Sequence, residues 1–284
     1  MTTDFDHAAD IARQFDRDRY LSALLAPEAH RDGLMALYAF NAEIGRIREV
    51  VSEPLPGEVR LQWWRDLLEG TEHGAVASNP VANALLQTIE RYKLPKQGFV
   101  AMTEARIFDL YNDPMPTLND LEGYVGETVS SLIQMACLVL NDGEDTGTAT
   151  AAGHAGVAYG VAGLLRALPW HASRQQMYVP KDVLDRHNVD TATVFRGETT
   201  PELKSALKEM HEHVHHHLSR VRQAASDVPA KYLAAFLPVF LINPYLQKLE
   251  AEGFDPLKQV AEISQLRRQW ILWRSLGKGL ETIK

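Results

Sequence analysis

The sequence predicts an all-α protein, a single domain over residues 1–284 whose helices bundle around a central cavity. Three observations carry this expectation. Apolar residues recur at three- and four-residue spacing in one segment after another, as a buried helix face requires. No stretch of useful length alternates apolar and polar residues as a half-buried strand does. Helix starts are marked by a capping side chain followed by proline, at Asn79-Pro80, Thr200-Pro201 and Asp255-Pro256.

In chain order, residues 4–16 read as a short amphipathic opening helix. Residues 27–52 contain the helix on which the rest depends. Its apolar face is Leu37, Phe40, Ile44, Ile47 and Val51, while Asn41, Glu43, Arg46, Arg48 and Glu49 occupy other sectors, so charge lies beside a core. Residues 56–69 follow, stopped at Gly70. Trp63 and Trp64 are adjacent on that helix and must point differently, one into the core and the other toward a cavity or interface. After the helix opened by Pro80, another is expected over 98–110.

Thr117 and Asp120 have the spacing of a capping box for a long helix reaching Leu140. That helix is two-sided: Val125, Val129, Leu132, Ile133, Ala136 and Leu140 form an apolar stripe, and Tyr124, Glu127, Thr128, Ser131 and Gln134 a polar one. Residues 142–148 are an acidic loop, 149–167 a Gly/Ala-rich helix suited to close packing, and 169–187 an irregular stretch with one short helical turn. The helix opened by Pro201 carries His211, His213, His215, His216 and His217. The pairs 211/215 and 213/217 have a workable metal spacing, yet no cysteine lies nearby and Glu209 and Glu212 make the face hydrophilic, so a solvated face is favoured. The final helix combines Leu266, Trp270, Ile271, Trp273 and Leu276 with Arg267, Arg268, Arg274 and Lys278. This mixture suits core packing first and peripheral membrane contact second.

A chain of 284 residues, 45% hydrophobic, can bury a large core. Its net charge of −8 argues against a nucleic-acid partner. The single cysteine, Cys137, excludes an intrachain disulfide and, set in an apolar helical run, reads as an inert core thiol in a reducing compartment. No signal or transit layout opens the sequence, and the most apolar segment, 232–246, is broken by Pro238, Asn243 and Pro244. A cytoplasmic location is expected, with peripheral contact at the inner membrane surface as its extension.

The words ALYAF at 36–40 resemble the opening of the first acidic motif of the squalene/phytoene synthase family, which joins two prenyl diphosphates head to head. That family continues with Asp-Asp-x-x-Asp, whose carboxylates hold Mg²⁺ at the leaving diphosphate. Here the matching positions are Gly45-Arg46-Ile47-Arg48-Glu49. The second family motif, Asn-x-x-Arg-Asp-x-x-Glu-Asp followed by Gly-Arg-x-Tyr-Leu-Pro, is matched by Arg166 and by Tyr178-Val179-Pro180. Gly163, Ala167, Trp170 and His171 replace its asparagine and acids, and Gln175-Gln176 its Gly-Arg. The resemblance therefore implies an isoprenoid-synthase-like bundle without the Mg²⁺ cluster, with no cofactor, and with head-to-head chemistry lost. FNAEIGRIREVVSE, QWW at 62–64, ETVSSL at 127–132 and LRALPWHASRQQMYVP at 165–180 resemble one branch of the family in particular. That branch includes a mitochondrial assembly factor for respiratory complex I, and complex I assembly proteins become the expected partners.

On this frame the candidate site combines Glu43, Arg46 and Glu49 with Tyr124, Glu127, Ser131, Arg166, His171 and Arg174, gathered at the old diphosphate end. Such a site would hold an isoprenoid or anionic lipid ligand without metal, His171 titrating near neutral pH. An equally weighted reading makes the same residues internal ion pairs. Two rival functions stand beside assembly: a prenyl-diphosphate transferase with an altered site, and an isoprenoid or lipid carrier.

Overall fold

Helix capping explains most of the element boundaries in the computed structural model, which describes residues 3–71 and 78–283. Thr3 and Asp6 close a reciprocal box at the start of α1 (Asp4–Phe15). Asp16 then breaks the chain and caps α2 (Arg17–Leu24) by accepting from the Arg19 amide at 3.3 Å. The long helix expected over 27–52 divides at Arg46 into α3 (Glu28–Gly45) and the single turn α4 (Ile47–Val50). Next come α5 (Pro54–Glu69), ended by left-handed Gly70, and α6 (Pro80–Tyr92), capped by Asn79. The segment 98–110 is not one helix: α7 (Lys96–Ala105) tightens into a 3₁₀ turn, Arg106–Leu110.

The Thr117–Asp120 box forms and opens α8 (Leu118–Val125), which continues through one π turn (Gly126–Ser130) into α9 (Ser131–Leu140). Ser131 donates its hydroxyl to the Gly126 carbonyl at 3.2 Å, which helps hold the wider turn. After α10 (Ala149–Arg166) come α11 (Leu168–Ser173), α12 (Lys181–Arg186) and α13 (Thr191–Phe195), more regular structure than the sequence suggested for 169–187. The last helices are α14 (Pro201–Gln223), α15 (Leu233–Phe236), α16 (Ile242–Leu249) and α17 (Gln265–Ser275). Among the described residues there is no strand.

One cap signal misled. Asp255-Pro256 opens a single turn, in which the Asp255 carboxylate accepts from the Leu257 amide, and α17 begins only after Ser264. The intervening chain buries Leu257, Ala261 and Ile263 and hands the Ala261 carbonyl to the Arg166 guanidinium at 3.1 Å. Tertiary contacts have overridden a local start signal.

The core is continuous from α1 to the C-terminal turns and centres on α3, which packs on α1, α6 and α9, and on α10, which packs on α14 and the π turn. Phe40 is buried edge-on between Trp64 and Phe99, with ring centroids 5.1 and 5.5 Å away. Trp64 is the core tryptophan of its pair, and Trp63 is half-buried and faces a cleft. Close contact between α10 and the π turn depends on Gly156, where a Cβ would lie 2.4–2.5 Å from Ser130 backbone atoms. Cys137 is buried and burial pushes its thiol up to about 12. The run Leu118–Leu140, and not the 232–246 segment expected to be the most apolar, is long and apolar enough by composition to cross a membrane, but just over half of it is buried inside the bundle.

Candidate functional site

Helices α3, α8 and α10 share a cleft of about 170 Å³, lined by the polar groups of Arg19, Asn41, Arg106, Tyr124, Thr128 and Tyr159 and by apolar Val125, Val129 and Leu164. Each side chain arrives for a local reason. Asn41 lies on the inner face of α3, and the 3₁₀ turn swings Arg106 and Asp109 inward. The π turn brings Thr128 beneath Tyr124, whose carbonyl accepts the Thr128 hydroxyl at 2.7 Å. Gly163 leaves the α10 side of the cleft open, and Gly160 lets Val125 and Val129 pack directly against α10. Arg106 donates to the Tyr124 hydroxyl at 2.7 Å, to Asp109 at 3.2 Å and to the Asn41 oxygen at 3.5 Å. Buried Asp109 also accepts the Tyr124 hydroxyl at 2.7 Å and the Tyr178 hydroxyl at 2.6 Å, while its carbonyl accepts from Gln176. Burial raises both phenols far above their ordinary range, and the Asp109 charge adds to it, so both remain protonated donors.

A second network lies on the other side of Arg19. The Asp18 carboxylate is 2.6 Å from Arg268 and accepts hydroxyls from Tyr245 at 2.9 Å and Tyr159 at 3.2 Å. Arg19 pairs with Asp16 at 2.7 Å and lies over the Tyr159 ring. Asp16, Asp18, Arg19, Tyr159 and Arg268, together with Arg166, Glu262 and Phe15, line a cleft of about 400 Å³ that carries both signs of charge.

The nine residues expected to form one site are dispersed. Tyr124 alone lines the α3–α8–α10 cleft. Arg166 lies over the Tyr245 ring at 3.5 Å and lines the mixed-charge cleft. Arg46 stacks on Phe15 at 3.3 Å and pairs with Glu49 at 3.4 Å. With Glu43 it lines a third, outward cleft of about 900 Å³ that also includes His7, Arg60 and Trp63. Ser131 is spent on the Gly126 carbonyl, and Glu127 and Arg174 are exposed. His171 packs on Tyr178 with centroids 4.5 Å apart, and burial lowers it to about 4, so it does not titrate near neutral pH as expected.

Arg19, Asn41, Arg106, Asp109 and Tyr159 were not singled out together. The available signals are slight: an i,i+3 Arg/Asp pair in a largely apolar segment, and a tyrosine in a helix rich in Gly and Ala.

The histidine run also differs from expectation. His211 and His217 are buried, His213 is half-buried, and only His215 and His216 face solvent. His217 falls in the stripe Met210, Val214, Leu218 and Val221 that α14 turns toward the core, which the hydrophilic neighbours had masked. Glu250 sits between His211 and His215, and Glu122 between His213 and His217. Burial, then the neighbouring His213, His154 and His216, lowers His217 to about 3.

Residues 12–274 match the family described as "Squalene/phytoene synthase". The chain is 31% identical to "NADH dehydrogenase (ubiquinone) complex I, assembly factor 6" of Rattus norvegicus, covering 88% of this chain and 74% of that one. The Homo sapiens protein of the same description is 30% identical, over 88% and 75%. In shape the chain is similar to a crystal structure of a dehydrosqualene synthase in complex with ligand, with a TM-score of 0.79, 17% identity, and 95% and 94% of the two chains covered. That likeness is one of fold.

Proposed function

Because the chain belongs to the squalene/phytoene synthase family, we propose that it is a member without head-to-head synthase activity that acts in assembly of respiratory complex I. The observation that carries this reading is the pair of relatives described as complex I assembly factor 6, about 30% identical across 88% of the chain. The cleft and its surroundings support it in three ways. Gly45 stands, by resemblance, where the family has its first acid, and a side chain there would meet Arg106, with a Cβ 3.5 Å from the guanidinium. Where a synthase needs carboxylates on facing helices to hold Mg²⁺, the polar lining here is arginine, amide and hydroxyl beside valine and leucine, and Asp109 behind it is already committed to three partners. The volume points the same way: about 170 Å³ lies below the roughly 300–1,000 Å³ of ordinary small-molecule sites, and two prenyl chains need more. A cleft of this size and charge suits the head of an anionic lipid or isoprenoid more than its whole body.

The exposed face of α17 favours a further part of the same reading. Leu266, Trp270 and Trp273 project into solvent beside Arg267 and Arg274, a pattern suited to peripheral contact with an anionic membrane surface where complex I is assembled. The test is deletion of the gene in its source organism, followed by native-gel assay of complex I and complementation. Purified protein is incubated in parallel with farnesyl or geranylgeranyl diphosphate and Mg²⁺. Loss of assembled complex I with no head-to-head product is expected. Diphosphate release with a C30 or C40 product, or normal complex I in the deletion strain, would overturn the proposal.

A further inference from the structure

We propose that Glu122, His213 and His217 form a binding site for a divalent transition-metal ion, with Zn²⁺ the best match to the donor set. The site is separate from the cleft and independent of the proposed role in assembly. His213 and His217 are one turn apart on α14, so both imidazoles project from the same strip of helix. Glu122, from α8, lies between them: its Oε1 is 3.2 Å from His213 Nε2 and 3.6 Å from His217 Nε2. One donor atom from each of the three residues lies within 4.8 Å of the others. A tetrahedral Zn²⁺ with bonds of about 2.0–2.2 Å sets its ligand atoms about 3.3–3.5 Å apart, so the existing spacing needs only small adjustment to close on an ion.

Two details of the surroundings favour a metal over a plain histidine–carboxylate contact. His217 Nδ1 is 3.0 Å from His154 Nδ1 on α10. If that contact is Nδ1–H of His217 donating to His154, the lone pair of His217 Nε2 is left facing Glu122, the outer-shell arrangement that orients a metal-binding imidazole. His213 Nε2 is buried without a hydrogen-bond partner, because its approach to Glu122 is not aligned as one. A buried orphan nitrogen beside a carboxylate is costly unless a third group occupies the space between them. Glu122 is 38% exposed, so one side opens to solvent and a water can complete the shell. Two imidazoles and one carboxylate favour Zn²⁺, Co²⁺ or Ni²⁺ over Mg²⁺ or Ca²⁺. The ion would tie α8 to α14.

The same helix supplies an internal control, since His211 and His215 flank Glu250 in a similar way, yet among the described residues their three donor atoms do not all gather within 4.8 Å of one another as those of Glu122, His213 and His217 do. Untagged, chelator-treated protein is titrated with Zn²⁺ by calorimetry and with Co²⁺ by absorption spectroscopy. One equivalent of Zn²⁺ is expected, with a four-coordinate Co²⁺ visible spectrum and a raised melting temperature. Glu122→Gln, His213→Gln and His217→Gln should each weaken binding at least tenfold, and His154→Gln by about tenfold as an orienting residue. His211→Gln with His215→Gln should bind as the unaltered protein does. Absence of a saturable one-equivalent site in the unaltered protein overturns the proposal whatever the variants do. So does binding unchanged in Glu122→Gln, whose side chain is exposed enough for the fold to survive the change, or binding lost only in the His211/His215 control.

Discussion

Removing the Asp18 carboxylate tests whether the buried network joining the two ends of the chain holds the bundle together. Asp18 on α2 is buried against Arg268 of α17 at 2.6 Å and receives the hydroxyls of Tyr245 on α16 and Tyr159 on α10. Asp18→Ala leaves the Arg268 guanidinium buried, with the Tyr245 hydroxyl, at 3.2 Å, as its one remaining hydrogen-bond partner among the described residues. Breaking a buried pair from one side costs about 3–5 kcal/mol, most of it the penalty for the charge left behind. At about 2–4 °C per kcal/mol for a chain of this size, the melting temperature should fall by roughly 6–20 °C. Urea unfolding followed by circular dichroism, with a double-mutant cycle through Arg268→Met, separates the pair from its surroundings. The double variant should be more stable than Asp18→Ala alone, because the stranded charge is gone. A loss under about 1 kcal/mol for Asp18→Ala, within the range of surface pairs, or a double variant less stable than the single, would refute the reasoning.

Other consequences follow from burial and close contact. Gly156→Ala should destabilise by about 1–3 kcal/mol, since its Cβ meets the Ser130 backbone, whereas Gly163→Ala meets nothing within 4 Å and should stabilise α10 by about 0.5–1 kcal/mol; thermal melts of the pair check both signs. Cys137 should resist a thiol reagent at pH 8 in the native protein and react only on unfolding, because burial holds its thiol at about 12; fast labelling of folded protein would contradict this. His171 at about 4 and His217 at about 3 are both depressed, so the unfolded chain binds more protons than the folded one at acidic pH. Their contribution is complete above about pH 6.5 and declines as pH falls toward 4 and then 3, which a urea midpoint measured across pH 3–7 should show as a rising curve.

Helix content was legible because its causes are local. The spacing of Leu37, Phe40 and Ile44, the Thr117–Asp120 box and the Asn79-Pro80 and Thr200-Pro201 starts each involve a few neighbouring residues, and each forms as expected. The ALYAF word and the segment 165–180 likewise pointed to the family, since a resemblance needs only the order of residues. The site was less legible. Residues placed together by motif, Arg46, Arg166 and His171, go to three different surroundings: Phe15 and Glu49, Tyr245 and the Ala261 carbonyl, and Tyr178.

Sequence by itself determined that this is an all-α chain of squalene/phytoene synthase type. Tertiary structure alone decided which charges meet. Tyr245 reaches Asp18 across 227 residues, Arg106 reaches Asn41 across 65, and His217 is buried because α14 turns that face to α10. The physical reason is one of range. A helix is closed by hydrogen bonds four residues apart, whereas a buried charge finds its partner only after the rotation and crossing of every neighbouring helix have been set by the packed core.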